Sequence, residues 1–126
     1  MENEILKIQN LKKYFPVSAR GKKNLFVKGV DGVSFTLKRG ETMGLVGESG
    51  SGKSTTAYNV IGLFSISGGS ITFNGQDISM PMKNRPLSLK KEIQIVFQDP
   101  GTSLNPQHTV YKILELPLRI HHICPP

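Results

Sequence analysis

Gly47-Glu48-Ser49-Gly50-Ser51-Gly52-Lys53-Ser54 is the stretch on which the fold turns. It fits the pattern G-x-x-x-x-G-K-[ST], which a random chain of this length would match roughly four times in a thousand at ordinary residue frequencies. Its surroundings sharpen the reading. Met43-Gly44-Leu45-Val46 is a short apolar run ahead of it, of the kind that suits a strand buried on both faces, and Lys53 to Leu63 reads as a helix behind it. The residue types answer to one task. Glycines let the backbone close on an anion with no Cβ in the way, and successive N–H groups then face one concavity. The helix adds the positive end of its dipole. Lys53 supplies a compact charge for terminal phosphates, and Ser54 a hydroxyl for a hard divalent cation. The bland alternative is a flexible Gly/Ser turn before an ordinary helix.

Outward from this loop, the pattern alternates between strands and turns. Ile5 to Leu11 alternates loosely and Val33 to Leu37 cleanly, so both predict half-buried strands. Between them, Pro16 to Asn24 reads as a polar, basic loop. Ser67-Gly68-Gly69 breaks the helix, and Ser70 to Phe73 predicts another strand, closed by the tight-turn pair Asn74-Gly75. Ile78 to Leu87 reads as a loop, Ile93 to Phe97 as a second buried strand, and Gln98 to Pro106 as a Pro/Gly/Asn loop. Val110 to Ile120 predicts a helix that Pro117 ends or bends.

Composition sets the limits. The chain has 126 residues, one Cys and no Trp, so a disulfide framework is excluded. No apolar run is long enough to span a bilayer, and the acidic start Met1-Glu2-Asn3-Glu4 lacks the basic and apolar regions of a signal peptide, which makes a reduced cytoplasmic protein the expectation. The net charge of +7 is uneven: nine basic residues and one acid, Asp31, lie between Lys7 and Arg39. A solvated cationic face or a phosphate ligand accounts for this. Nucleic acid as a partner is not expected, because no basic run of four and no interleaving of Arg with aromatics is present.

The chain resembles the ATP-binding subunits of ABC transporters. The resemblance is carried by Gly40-Glu41 through Thr55, which looks like the approach to their Walker A loop, and by Ile95-Val96-Phe97-Gln98-Asp99-Pro100, which looks like their Q-loop. Ser103-Leu104-Asn105-Pro106, Thr109-Val110, Lys13 to Val17 and Pro117 to Ile120 are similar to the oligopeptide/dipeptide importer branch. The resemblance implies an α/β fold, the N-terminal part of a RecA-like P-loop NTPase core. It implies an antiparallel β region over 1–40 and 68–78, a strand, loop and helix over 41–63, and a Q-loop strand and loop over 92–106, with the helical subdomain and later core strands absent. Gly47, Glu48, Ser49, Gly50, Ser51, Gly52, Lys53, Ser54, Thr55 and Thr56 would hold ATP. Ser54 and Gln98 would bind Mg2+. The aromatic that stacks on adenine falls on Phe15, with Tyr14 beside it as the alternative. The partners implied are an integral membrane permease subunit, met through the Q-loop region, and a second ATP-binding subunit, at the cytoplasmic face of the membrane. Gly101 departs from the branch's usual aromatic and Gln107 from its frequent Arg, both in the loop that would touch the permease.

The same resemblance implies that the signature motif, Walker B, the catalytic Glu and the switch His fall beyond position 126. Ser67-Gly68-Gly69 mimics the signature but sits between the P-loop helix and a strand. Ile93 to Asp99 mimics Walker B, but Gln98 intervenes and Pro100 rather than an acid follows. His121-His122-Ile123-Cys124 has ligand-like spacing but reads as an incidental tail. The expectation is therefore ATP binding with almost no independent turnover, and low stability, since Met43–Val46 and Ile93–Phe97 would have no neighbouring strands. A small P-loop kinase is the competing class; the four arginines at 20, 39, 85 and 119 do not cluster as a lid requires, and no Asn-Lys-x-Asp reader of a GTPase is present. An inert nucleotide-binding remnant, or an importer of nickel or another solute, stays open.

Overall fold

The computed structural model describes residues 3–19 and 22–123, so Arg20 and Gly21 of the expected basic loop and Cys124 of the tail lie outside the described residues. The chain forms two compact units, Met1–Arg85 and Pro86–Pro126.

The first unit is built on an antiparallel sheet. β1 (Glu4–Ala19) and β2 (Lys22–Lys38) form a long hairpin, β3 (Gly68–Phe73) pairs with the other edge of β1, and β4 (Gln76–Asp77) closes the order β2-β1-β3-β4. The expected antiparallel region is therefore present. Alternation places Ile8 opposite both Phe35 and Ile71, and Ile8, Leu11, Val30 and Ile71 are buried together with Ile61 and Ile78. Asn74 (φ 48°) and Gly75 (φ 78°) make the turn between β3 and β4, as the dipeptide predicts. Much of the loop expected over 16–24 is instead strand: Pro16 pairs with Phe26 and Val17 with Leu25. The reason is topological. β3 stops at Gly68, opposite Lys12, so beyond that point β1 is an edge and tolerates a proline that lacks an N–H.

Helix α1 (Lys53–Ile61) follows the glycine-rich loop and ends at Gly62, whose φ of 84° gives the left-handed stop. Its carboxyl end is pinned by Arg85, which is 4% exposed. The guanidinium donates from Nε to Met80 O (3.0 Å), from Nη1 to Val60 O (2.8 Å) and from Nη2 to Ile78 O (2.7 Å). Burial lowers its pKa from the ordinary arginine value, yet three carbonyl dipoles, one of them at the negative end of α1, compensate the buried cation. The segment expected to be a plain loop over 78–87 is thus held on this side chain, with a 3-10 turn at Met82–Asn84.

Exposed on β1 and β2, Asp31 accepts from the Tyr14 hydroxyl (2.5 Å) and from Lys28 Nζ (2.9 Å). The Tyr14 hydroxyl first, and Lys28 second, hold the Asp31 carboxyl below the usual carboxylate range. A depressed carboxyl contributes stability above its unfolded pKa, near 4, and loses it as pH falls through the folded value. Asp31→Asn is expected to flatten the acid side of the stability–pH curve slightly, measured by urea unfolding at pH 2 to 6. An unchanged acid limb contradicts the assignment.

The second unit holds α2 (Leu87–Glu92), α3 (Pro100–Ser103) and α4 (Val110–Ile120). Neither α2 nor α3 has a sequence signal at helical period. The α3 turn is nucleated by Asp99, whose carboxylate accepts from the Gly101 N–H (2.9 Å), with Pro100 at the first position. The α4 helix is capped by Thr109 and runs through Pro117 instead of ending there. Its residues are exposed or half-buried, so the carbonyl left unpaired by the proline has access to water.

Neither apolar run expected as a core strand forms one. Residues 41–48 and 93–97 are not in strand conformation, and Val46 and Val96 are each 97% exposed. A strand buried on both faces needs neighbours on both sides; among the described residues none is supplied. Exposed apolar segments of strand-like composition template association. Alone, the chain is expected to melt broadly and to scatter light as it does so, followed by circular dichroism and light scattering on heating. A sharp, reversible, high-melting transition contradicts this.

Candidate nucleotide-binding site

Gly47 to Gly52 form an exposed to half-exposed turn that runs directly into α1. Gly50 (φ +80°) and Gly52 (φ +94°) adopt conformations that L side chains rarely take. Gly52 is also sterically fixed: a Cβ there would lie 2.3 Å from Gly29 O, on β2. Gly52 is the N-cap of α1, and no side chain caps the helix. The first α1 N–H to turn inward is that of Thr56, which donates to Gly52 O (2.9 Å), and the Thr56 hydroxyl donates to the same oxygen. The preceding N–H groups, of Lys53, Ser54 and Thr55, are the orphan donors of the helix start. A short bend with uncapped donors and a positive helix end is an anion cradle.

Lys53 curls over this bend. Its ammonium donates to Gly47 O (2.7 Å), Glu48 O (2.5 Å) and Ser51 Oγ (3.2 Å). Two carbonyls thus orient it, and the longest bond, to a serine hydroxyl, is the one an anionic oxygen would most readily replace. Ser54 is exposed and Thr55 half-buried one residue further on, whereas Thr56 is 5% exposed and faces inward.

The two aromatic candidates lie in different surroundings. Tyr14 is engaged with Asp31, with Lys28 Nζ 5.6 Å from its ring centre. Phe15 packs against Gly29, where a Cβ would come within 2.6 Å of Phe15 Cε2. Gly29 is therefore abutted by the Phe15 ring and by the last glycine of the phosphate-type loop. Two aromatics that the sequence motifs do not single out, Phe64 and Tyr58, join Phe15: the rings of Phe15 and Phe64 are 5.5 Å apart and those of Tyr58 and Phe64 5.4 Å, each pair near perpendicular. Tyr58 in the helix and Phe64 just past it are six residues apart, a spacing that carries no helical-face signal, so the sequence did not point to the pair. Lys13 Nζ lies 5.1 Å from the Phe15 ring centre. Gln98 is exposed in the second unit, beside the Asp99 cap. Among the described residues, no group of three or more His, Cys, Asp or Glu converges as a metal site, and no helix is long and apolar enough to cross a membrane.

The sequence profile described as ABC transporter matches residues 30–122. The chain belongs to the ABC transporter family. Among curated proteins it is 46% identical over 129 residues to the oligopeptide transport ATP-binding protein AppF of Bacillus subtilis strain 168, covering 97% of this chain and 38% of AppF. It is 43% identical over 121 residues to the oligopeptide transport ATP-binding protein OppF of Lactococcus lactis, covering 93% of this chain and 37% of OppF. It is also 42% identical over 123 residues to the glutathione import ATP-binding protein GsiA of Escherichia coli, of which it covers 20%. This ABC chain thus spans about two fifths or less of the length of these relatives. Among solved structures, cbiO1 of Clostridium perfringens, part of an ABC transporter complex, superimposes with a TM-score of 0.62 at 32% identity, over 82% of this chain and 38% of that one. The dimeric cassette MJ0796 bound to ADP and phosphate gives a TM-score of 0.74 over 97% of this chain and 50% of that one; at 22% identity it speaks for the fold alone. The α/β fold is accordingly the antiparallel sheet and P-loop helix of an ATP-binding cassette.

Proposed function

We propose that this chain is the ATP-holding portion of an importer subunit that couples ATP binding and hydrolysis to the uptake of oligopeptides or dipeptides. One observation carries the reading: an uncapped helix start behind two positive-φ glycines, with Lys53 drawn into the bend by Gly47 and Glu48 carbonyls. The arrangement presents N–H donors and one ammonium to a polyphosphate. Gly47, Glu48, Ser49, Gly50, Ser51, Gly52 and Lys53 would cradle the β- and γ-phosphates, and Ser54 and Thr55 would continue the site along the first turn of α1; Thr56, whose N–H and hydroxyl both go to Gly52 O, would brace that turn from the inside.

Mg2+ fits this donor set. A hard cation that keeps phosphate oxygens and waters needs only one or two protein oxygens, and the exposed Ser54 hydroxyl is placed to be one. Gln98 is assigned as the second by its likeness to the Q-loop. When bound, the cation neutralises charge on the terminal phosphates. The chain's own residues position the triphosphate and shield its charge, and catalysis of phosphoryl transfer is largely this positioning.

Phe15 is the better candidate for the base, because it shares Gly29 with the end of the loop, whereas the Tyr14 hydroxyl is engaged with Asp31. Lys13 does not bar the ring. A cation over an exposed ring contributes about 0.5–1 kcal/mol, and a base stacked on an aromatic about 1–3 kcal/mol, so a base displaces it. The names of the relatives support peptides as the solute. A permease subunit and a second ATP-binding subunit would complete the assembly on the cytoplasmic side of a membrane.

The test is melting and turnover together. With ATP and Mg2+ at about a hundredfold excess over Kd, apparent stability should rise by about 2.7 kcal/mol, while phosphate release stays near the buffer rate. No shift on adding nucleotide would refute the binding role, and phosphate release at ordinary enzyme rates would refute the dependence of hydrolysis on groups other than those described.

A further inference from the structure

We infer that Phe64 is a positioning residue for the nucleobase: it holds the Phe15 ring in register with the helix that carries Lys53. The inference rests on the reading of Phe15 as the base-stacking ring. Phe64 itself is fixed three times by α1. Its N–H donates to Tyr58 O (3.2 Å), its carbonyl accepts from Asn59 Nδ2 (3.1 Å), and its ring meets Tyr58 at 83°. Asn59 is 1% exposed, so this anchor is rigid. The Phe64 ring then meets Phe15 at 85° with 5.5 Å between centres.

Edge-to-face pairs have a preferred geometry, so each ring constrains the plane of the next. Lys53 opens α1 and the Tyr58–Phe64–Phe15 ladder leaves from its other half. The phosphate end and the base end of a nucleotide would thus be gauged from one rigid element. Simple core packing does not account for the arrangement, because Phe64 is 36% exposed and Phe15 and Tyr58 are only half-buried. Lys13 Nζ, 5.1 Å from the centre of Phe15 and 5.8 Å from that of Phe64, marks this surface as one where a planar or cationic group can settle.

A base-positioning role separates ligands with a base from those without one. Binding of ATP and of inorganic tripolyphosphate, each with Mg2+, is measured on the unmodified chain and on Phe15→Ala, Phe64→Ala, Phe64→Leu and Phe64→Tyr. Phe64→Ala should weaken ATP about fivefold, the scale of one aromatic pair, and leave tripolyphosphate unchanged. Phe64→Leu, which keeps bulk without a ring, should do the same if the alanine variant does not fold, and Phe64→Tyr should restore the ratio. Equal weakening of both ligands would reduce Phe64 to a structural support and overturn the inference. So would an unchanged ratio in Phe64→Ala while Phe15→Ala lowers it. An unchanged ratio in Phe15→Ala would instead overturn the reading of Phe15, and failure of the unmodified chain to bind tripolyphosphate would overturn the loop assignment.

Discussion

Gly52→Ala is expected to abolish the folded loop and to leave little folded chain at ambient temperature. Two costs add at this position. A non-glycine residue at φ +94° lies in the left-handed region, where a side chain costs about 1–2 kcal/mol. The new Cβ would also stand 2.3 Å from Gly29 O, a backbone atom of β2 that is held in the hairpin and cannot swing aside as a side chain would. Relieving that overlap moves either the hairpin or the start of α1, and overpacking of this kind typically costs a further 1–3 kcal/mol or so. The apolar core it must be drawn from is thin: among the described residues of the first unit it is Ile8, Leu11, Val30, Ile61, Ile71 and Ile78. Small domains have little stability to lose. Urea unfolding followed by circular dichroism measures the loss directly. A Gly52→Ala chain with an unchanged midpoint would show that the loop does not rest on Gly29. Gly44→Ala is the control, since a Cβ there meets nothing within 4 Å.

Lys53→Ala is expected to leave the fold in place and to weaken ATP by roughly 10- to 100-fold, the value of one charge-assisted hydrogen bond to an ionised group. The fold should survive because the ammonium bonds only to its own loop, at Gly47, Glu48 and Ser51, and none of these residues is buried. Binding should suffer because the same ammonium is the charge that the loop's carbonyls aim at its mouth. Lys53→Arg is a useful companion. Its planar fork cannot reproduce a point charge seated between two carbonyls, so it should recover binding only in part. Titration calorimetry with ATP and Mg2+ checks both. Equal affinity in Lys53→Ala and the unmodified chain would remove Lys53 from the site.

Much of this was legible in the sequence, for identifiable reasons. The Gly47–Ser54 pattern is specific because each of its fixed residues meets a separate steric or electrostatic demand, and Asn74-Gly75 is legible because its turn requires two positive-φ residues. Alternation found β1, β2 and β3 because each buries one face. The hairpin arm beyond Lys12 was missed because its pairing is set by the partner strand, not by burial: Val17, Leu25, Phe26 and Val27 all remain exposed. Met43–Val46 and Ile93–Phe97 carry the composition of core strands yet form no ladder, since a parallel-type strand is specified by neighbours and not by its own residues. Arg85 and Phe64 were invisible for a further reason. A buried arginine on three carbonyls and an aromatic ladder are tertiary facts, and a lone Arg or Phe in a loop gives no periodic signal. The helix over Val110–Ile120 was legible, and of the two outcomes Pro117 allowed, an end at the proline is the one that did not occur, since solvent around α4 can satisfy the freed carbonyl.

The central claim is that the bend from Gly47 to Ser54 holds the phosphates of a nucleotide, and backbone amide resonances test it most directly. On adding ATP and Mg2+ to isotope-labelled chain, the largest shifts should fall on the N–H groups of Gly50 through Thr55, with smaller ones around Phe15. Shifts concentrated elsewhere, with the amides of that bend unmoved at saturating nucleotide, would contradict the account.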